Sequence, residues 1–282
     1  MPGRSQPRRA ATPVTSTRFG RRDAFRLGGI GLSVAAIAAA CGDDRGGDTA
    51  PGRVGYAPTP EPLPPFPVDD SVYLRTSTSV EVTIVDVYSE LLAGGELGAD
   101  VAAAVTELVT RHQVLVEQLS ELTSAAGGTP WPCANPWMVD RLIAPIRATI
   151  AESDDPARDL RNLAISLENV AAATHQSFTR LLSVPELRPG TAGAAAVDSR
   201  NAATLVILTG GPEAYVSPAI DGGEVPRVDG IPEQFAITSR FGSLAQFELV
   251  VGAPDENGTR TTYLLNTPAE NSYIYNELDP SC

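Results

Sequence analysis

Apolar residues through the middle of the chain recur at every third or fourth position, a spacing that predicts amphipathic helices. The pattern predicts four long helices and one shorter helical segment, at residues 77–93, 99–124, 138–151, 155–183 and 191–208. Gly127 and Gly128 end the second long helix, and Pro185 and Pro189 end the third. A Thr/Ser cluster precedes the first helix and is expected to provide its N-cap.

The hydrophobic period changes from helical to alternating after residue 212. Residues 246–251 and 261–265 are strand-like, and the turn sequence at 253–258 predicts a hairpin between them. Shorter strands are expected at 235–238 and 273–276. The fold class predicted from these patterns is mainly α, an up-down four-helix bundle with a small C-terminal antiparallel β extension packed on it.

One carboxylate interrupts the apolar face of the third long helix. Glu168 shares that face with Ala171, Ala172 and His175, which lie three, four and seven residues further on. A charge on such a face costs several kcal/mol unless it is paired or coordinated. We therefore expect a partner for Glu168 inside the fold.

The same pattern occurs in the first long helix. A Ser-x-Glu triplet ends at Glu81 as another ends at Glu168, and Tyr88 follows Glu81 at the spacing at which His175 follows Glu168. Each copy precedes a second helix with a polar group on its apolar face. Two similar helical hairpins with inward polar groups predict a bundle of two related halves.

The second helix of each pair supplies the other inward polar groups. His112 follows Glu81 at nearly the same spacing in the sequence at which Asp198 follows Glu168, and Asn201 lies one turn after Asp198. We expect the four ionisable residues of this set to meet between the four helices.

The chain is predicted to open with a targeting segment at 1–40. Arg21 to Leu27 resembles a twin-arginine export signal, and the apolar run that follows, from Leu27 to Ala40, is too short to span a bilayer. The run ends in Ala38-Ala39-Ala40-Cys41, which looks like a lipoprotein cleavage box with Cys41 as the lipidated residue. The alternative is plain secretion after Ala-x-Ala cleavage, with Cys41 incidental.

Four segments follow from these patterns: a signal peptide at 1–40, a Pro/Gly-rich linker at 41–70, the helical bundle at 71–211 and the β-rich extension at 212–282. The expected location is extracytoplasmic, with the lipid on Cys41 anchoring the chain to the cell membrane. In an exported protein, Cys133 and Cys282 are expected to form a disulfide.

Composition excludes several functional classes. The net charge of −13 disfavours nucleic-acid binding, and the chain contains no lysine for a Schiff base or a Walker-type phosphate loop. No Gly-x-Ser-x-Gly or comparable nucleophile motif occurs, so hydrolase chemistry has no support.

The helical segments resemble the exported ferritin-like proteins of bacteria. The resemblance covers about residues 76–210 and depends most on Ser-Leu-Glu-Asn-Val-Ala-Ala-Ala-Thr at 166–174, with weaker support from Ala-Val-Asp-Ser-Arg-Asn-Ala at 196–202. In such proteins a dinuclear iron or manganese site is built from two single glutamates and two Glu-x-x-His motifs.

The resemblance implies metal ligands at Glu81, His112, Glu168 and Asp198. The first Glu-x-x-His motif falls on His112 and Leu115, and the second on Asp198 and Asn201, so the dinuclear motif is degenerate. Supporting roles around the ligands are implied for Tyr88, His175 and Asn201.

Two functions remain open from the sequence. The first is an exported, lipid-anchored protein with a carboxylate-rich iron or manganese site inside the bundle. The second is a metal-free envelope-associated binding or structural lipoprotein that retains the fold, its buried acids paired with histidines. Enzymatic activity, oligomeric state and protein partners do not follow from either.

Overall fold

The structure is a computed structural model that describes residues 55–56, 61–210, 227–228, 231–232 and 245–282. Within these residues the chain is mainly helical. It forms five helices of eight residues or more: α1 (Asp70–Gly94), α2 (Ala99–Ala125), α3 (Ala144–Ala151), α4 (Pro156–Leu181) and α5 (Arg188–Gly210). A helical turn at Pro136–Met138 and a π-helical turn at Val139–Ile143 lead directly into α3.

The predicted signal peptide at 1–40, the predicted lipidation site Cys41 and the predicted strand at 235–238 lie outside the described residues. Among the helices that are described, none has both the length and the hydropathy needed to cross a bilayer.

The α1 helix begins seven residues earlier than its apolar pattern predicts, because its N-cap is Asp69. The Asp69 carboxylate accepts a hydrogen bond from the backbone N–H of Val72 at 3.0 Å. The Thr/Ser cluster assigned to the cap lies inside the helix instead. The hydroxyls of Thr76 and Thr78 donate to carbonyls one turn earlier, which allows these polar residues to be buried in α1.

The four long helices pack around one core. α1 contacts α2 and α4, and α5 contacts α4 and α2, so each long helix has two long-helix neighbours. Side chains from α1, α2 and α4 form most of the buried cluster, and α5 adds Leu205 and Val206. This arrangement turns one face of each long helix toward a shared interior.

A small sheet covers part of this core. Strands β4 (Ala245–Val251) and β5 (Thr261–Thr267) pair antiparallel, and β1 (Gly55–Tyr56) adds to β5 in parallel, in the order β1-β5-β4. A separate two-residue pair, β2 (Arg227–Val228) and β3 (Ile231–Pro232), is antiparallel. The hairpin side chains Phe247, Leu249, Val251 and Leu265 belong to the same buried cluster as the helices.

Part of the predicted linker contacts the folded unit. Besides the pairing of β1 with β5, the Glu61 backbone N–H donates to Asn271 Oδ1 at 3.2 Å, and the Asn271 amide donates to the Glu61 carbonyl at 2.7 Å. The Glu61 carboxylate also pairs with Arg141. These contacts hold the last part of the linker against the β extension and the π-helical turn.

The expectation of a strand at 273–276 is wrong. These residues follow a 3₁₀ turn, Glu270–Ser272, and join no ladder. The Ile274 N–H donates to the Thr76 hydroxyl of α1 at 2.9 Å, so this segment bonds to a helix side chain and not to a neighbouring strand.

The C-terminal residues are tied to the loop before α3. Cys133 and Cys282 form a disulfide with a Cα–Cα distance of 5.4 Å, and they are the pair singled out from the sequence. Asn135 fixes the same loop, because its side-chain amide donates to Ser79 Oγ and to the Ser272 carbonyl, both at 2.8 Å. The loop therefore joins α1, α3 and the C-terminal segment.

Candidate metal centre

The four long helices bring five ionisable side chains together in the interior. Glu81 comes from α1, His112 from α2, Glu168 and His175 from α4, and Asp198 from α5, and each is 0% exposed. The set includes all four residues that the sequence analysis names as ligands. It also includes His175, for which the sequence predicts only a supporting role around the ligands.

Glu81 lies between the two imidazoles. Its Oε2 accepts a hydrogen bond from His112 Nδ1 at 2.6 Å, and its Oε1 accepts one from His175 Nε2, also at 2.6 Å. Burial raises the pKa of Glu81, but the charges and hydrogen bonds of the two imidazoles outweigh burial and hold the pKa at about 2. Glu81 is therefore ionised throughout the physiological range.

His112 connects two of the three carboxylates. Its second ring nitrogen, Nε2, lies 3.0 Å from Glu168 Oε1. Burial lowers the pKa of His112, but the attraction of Glu168 and Glu81 raises it well above the usual value. Carboxylates beside both ring nitrogens favour the protonated form of His112.

Asp198 lacks hydrogen bonds of the kind that Glu81 and His112 form. Its Oδ2 lies 3.4 Å from His175 Nε2 and its Oδ1 lies 4.0 Å from His112 Nδ1, and neither oxygen accepts a hydrogen bond from any described residue. Burial, followed by the charge of Glu81, raises the pKa of Asp198 well above the usual value. Glu168 Oε2 also lacks a partner among the described residues.

The outer contacts orient the cluster. The Tyr88 hydroxyl lies 2.7 Å from Glu168 Oε1, and burial together with this carboxylate raises the pKa of Tyr88 well above 10. On the other side, His175 Nδ1 lies 3.2 Å from Ser77 Oγ. Ser77 is a site residue that the sequence analysis missed, although its position four residues before Glu81 puts both on the same face of α1.

The side-chain oxygen of Asn201 bonds to a residue outside the cluster. Asn201 Oδ1 accepts a hydrogen bond from Arg111 Nη1 at 3.1 Å, and Asn201 Nδ2 is buried without a partner among the described residues. Leu115, the other position of the degenerate dinuclear motif, is buried and apolar. Neither residue adds a ligand oxygen or imidazole to the five-residue cluster.

Three residues of the cluster could hold a cation. Glu81, His112 and Asp198 each offer a donor atom, and these atoms all lie within 4.8 Å of one another, so this buried group could hold a metal ion. Three carboxylates exceed two imidazoles, and three carboxylate oxygens have no hydrogen-bond partner among the described residues. A bound cation would provide those oxygens with a partner.

No protein-family model, no curated protein and no solved structure matches this chain.

Proposed function

We propose that this protein is a ferritin-like four-helix bundle that binds one iron or manganese ion at the buried cluster. The observation that carries the proposal is Asp198, a fully buried carboxylate with no hydrogen-bond partner for either oxygen among the described residues. Such a group costs about 1–3 kcal/mol of stability unless something coordinates it. A cation between Asp198, Glu81 and His112 would remove that cost.

The donor types favour metals that accept both carboxylates and imidazoles. Oxygen-rich sites with few imidazoles suit manganese and iron, whereas zinc and copper prefer sites richer in nitrogen or sulfur. Leu115 and Asn201 occupy the positions that would complete a dinuclear set, so a single ion per chain is proposed. A bound ion of this kind supplies Lewis acidity and, for iron, one-electron chemistry.

The residues around the ligands would set their orientation. The Tyr88 hydroxyl lies 2.7 Å from one oxygen of Glu168, and the other oxygen, Oε2, has no hydrogen-bond partner among the described residues. Ser77 lies beside His175 Nδ1, which leaves Nε2 directed at Glu81 and Asp198. Contacts of this type hold metal ligands in place before the ion arrives.

Metal analysis of the purified protein tests the proposal. We expect about one iron or manganese per wild-type chain and little metal after the combined substitutions Glu81→Gln and Glu168→Gln, which keep the side-chain volumes. Asp159→Asn is the matched control, because Asp159 is also a buried carboxylate of α4 but bonds to the Gly252 N–H at 2.7 Å. Equal metal content in all three proteins would rule out this site.

One observation favours a metal-free alternative. The 2.6 Å contacts of Glu81 with His112 and His175 satisfy that carboxylate without any cation, as expected for an envelope-associated binding or structural protein that keeps the fold. In that case the purified wild-type protein contains no stoichiometric iron or manganese. Adding either metal to that protein would also leave its melting temperature unchanged.

Export and lipid anchoring are part of the same proposal. The twin-arginine-like segment and the Ala-Ala-Ala-Cys box at 38–41 support an extracytoplasmic protein attached to the cell membrane through Cys41. Mass spectrometry of the N-terminal peptide from the membrane fraction should find a lipid-modified Cys41, and Cys41→Ser should release the protein into the soluble fraction. An unmodified Cys41 in the wild-type protein would instead indicate plain secretion.

A further inference from the structure

A groove between α2 and α5 contains two arginines that form no ion pair with any described residue. The groove has a volume of about 520 Å³ and lies between α2 and α5. Its lining residues are Thr110, Arg111, Val114, Leu115 and Gln118 of α2, and Val197, Arg200 and Thr204 of α5. Pockets that hold small organic ligands have volumes of roughly 300–1,000 Å³. The groove is therefore large enough for such a ligand.

These two arginines lack the acidic partners that three other exposed or half-buried arginines have. Arg141, Arg147 and Arg260 each pair with a carboxylate of Glu61, Glu90 or Asp154, as expected in an acidic protein. Arg111 and Arg200 have no carboxylate within ion-pair distance among the residues that the structure describes. Arg111 donates to the neutral oxygen of Asn201 at 3.1 Å, and the rest of its guanidinium is left for another acceptor.

Two cations in one groove repel each other unless an anion lies between them. Besides the arginines, the groove contains three apolar side chains, Val114, Leu115 and Val197, and three uncharged polar ones, Thr110, Gln118 and Thr204. An inorganic oxyanion would pair with the arginines but would leave the three apolar side chains uncovered. A carboxylate with a hydrocarbon body would satisfy both, because arginine binds carboxylates through two parallel hydrogen bonds.

We propose that the α2–α5 groove binds a small organic carboxylate, with Arg111 and Arg200 holding the carboxylate group and Val114, Leu115 and Val197 contacting its apolar body. The proposal does not depend on metal binding, because no groove residue is one of the five ionisable residues of the buried cluster. The groove does adjoin that cluster in the chain, since Arg111 precedes His112 and Arg200 follows Asp198 by two residues.

Calorimetric titration of the purified full chain with octanoate tests the proposal. We expect one octanoate per chain and about tenfold weaker binding in Arg111→Gln and in Arg200→Gln, the loss expected for one charge-assisted hydrogen bond. Val114→Asp places a negative charge in the groove at an exposed position and should also weaken binding. Arg180→Gln, which removes an exposed arginine of α4 outside the groove, should leave octanoate binding unchanged.

Three further titrants define the ligand class. Octanol, which lacks the charge, and inorganic phosphate, which lacks the apolar body, should both bind at least about tenfold more weakly than octanoate. Phosphate binding as tight as octanoate binding would overturn the proposed class, and so would binding of phosphatidylglycerol vesicles without binding of free octanoate. Octanoate binding that is unchanged in both arginine variants would remove the groove as the site. The same titrations after chelator treatment should give the same affinities, which separates this proposal from metal binding.

Discussion

Asp198 offers the sharpest test of the buried cluster, because its substitution should have opposite effects with and without metal. In the metal-free protein its carboxyl group is buried, and neither oxygen has a hydrogen-bond partner among the described residues. Glu81, in contrast, accepts hydrogen bonds of 2.6 Å from two imidazoles. Two carboxylates of one cluster should therefore respond differently to truncation.

The expected magnitudes follow from these contacts. Removing an unpartnered buried carboxyl recovers about 1–3 kcal/mol, and alanine is a better helix former than aspartate by about 0.5 kcal/mol. The small cavity left behind offsets about 1 kcal/mol of this gain. Asp198→Ala should thus stabilise the metal-free protein by about 1 kcal/mol, whereas Glu81→Ala leaves buried imidazoles unpaired and should destabilise it by about 3–5 kcal/mol.

Bound metal should reverse the order of stability of the wild-type protein and the Asp198→Ala variant. At a free metal concentration of about 100 Kd the wild-type protein gains about 2.7 kcal/mol, and the variant loses most of that gain with its ligand. Asp198→Ala should therefore melt about 2–4 °C above wild type in chelator and clearly below wild type in excess iron or manganese.

Thermal and urea unfolding in both conditions measure these differences. Asp159→Ala serves as a control, because the Asp159 carboxylate accepts hydrogen bonds from Ser153 at 2.6 Å and from the Gly252 N–H at 2.7 Å. Its loss should destabilise the protein equally with and without metal. If Asp198→Ala destabilises the chelator-treated protein as much as Glu81→Ala does, the account of Asp198 as an uncompensated carboxyl is refuted.

Three other predictions follow from the same contacts. Tyr88→Phe removes a 2.7 Å hydrogen bond to Glu168 and keeps the aromatic ring, so it should lower the free energy of unfolding by about 1.5–3 kcal/mol. Urea unfolding measures this difference, and no change would mean that the hydroxyl contributes nothing to stability. Replacing Cys133 and Cys282 together by alanine opens a loop with a sequence separation of 149 residues and should lower stability by about 3–5 kcal/mol, a loss that a reducing agent should reproduce in the wild-type protein. Because the pKa of His112 is well above its usual value, metal must displace its proton, so the apparent metal affinity should keep rising with pH above about 6.5. Calorimetry in buffers of different ionisation enthalpy should detect proton release on metal binding, and an affinity independent of pH would contradict direct ligation by His112.

Local properties of the chain were predictable from its sequence. The apolar period located the long helices to within a few residues at most ends, and the turn sequence at 253–258 located the hairpin between β4 and β5. The mainly helical class with a small antiparallel sheet is confirmed. The ferritin-like relationship, export and lipidation at Cys41 stay predictions. Among the predicted helix ends, the start of α1 was placed too late, because it depends on Asp69 and not on the apolar pattern.

The sequence alone also determined that certain polar residues lie on apolar helix faces, because three- and four-residue spacing is a property of one helix. Tertiary structure decided which of them touch. It placed Glu81, not Glu168, between both imidazoles, and brought His175 into direct contact with Glu81. It also left Asp198 without a hydrogen-bond partner among the described residues and placed Arg111 and Arg200 in one groove. These outcomes depend on the relative rotation and crossing of separate helices, which no single segment of sequence specifies.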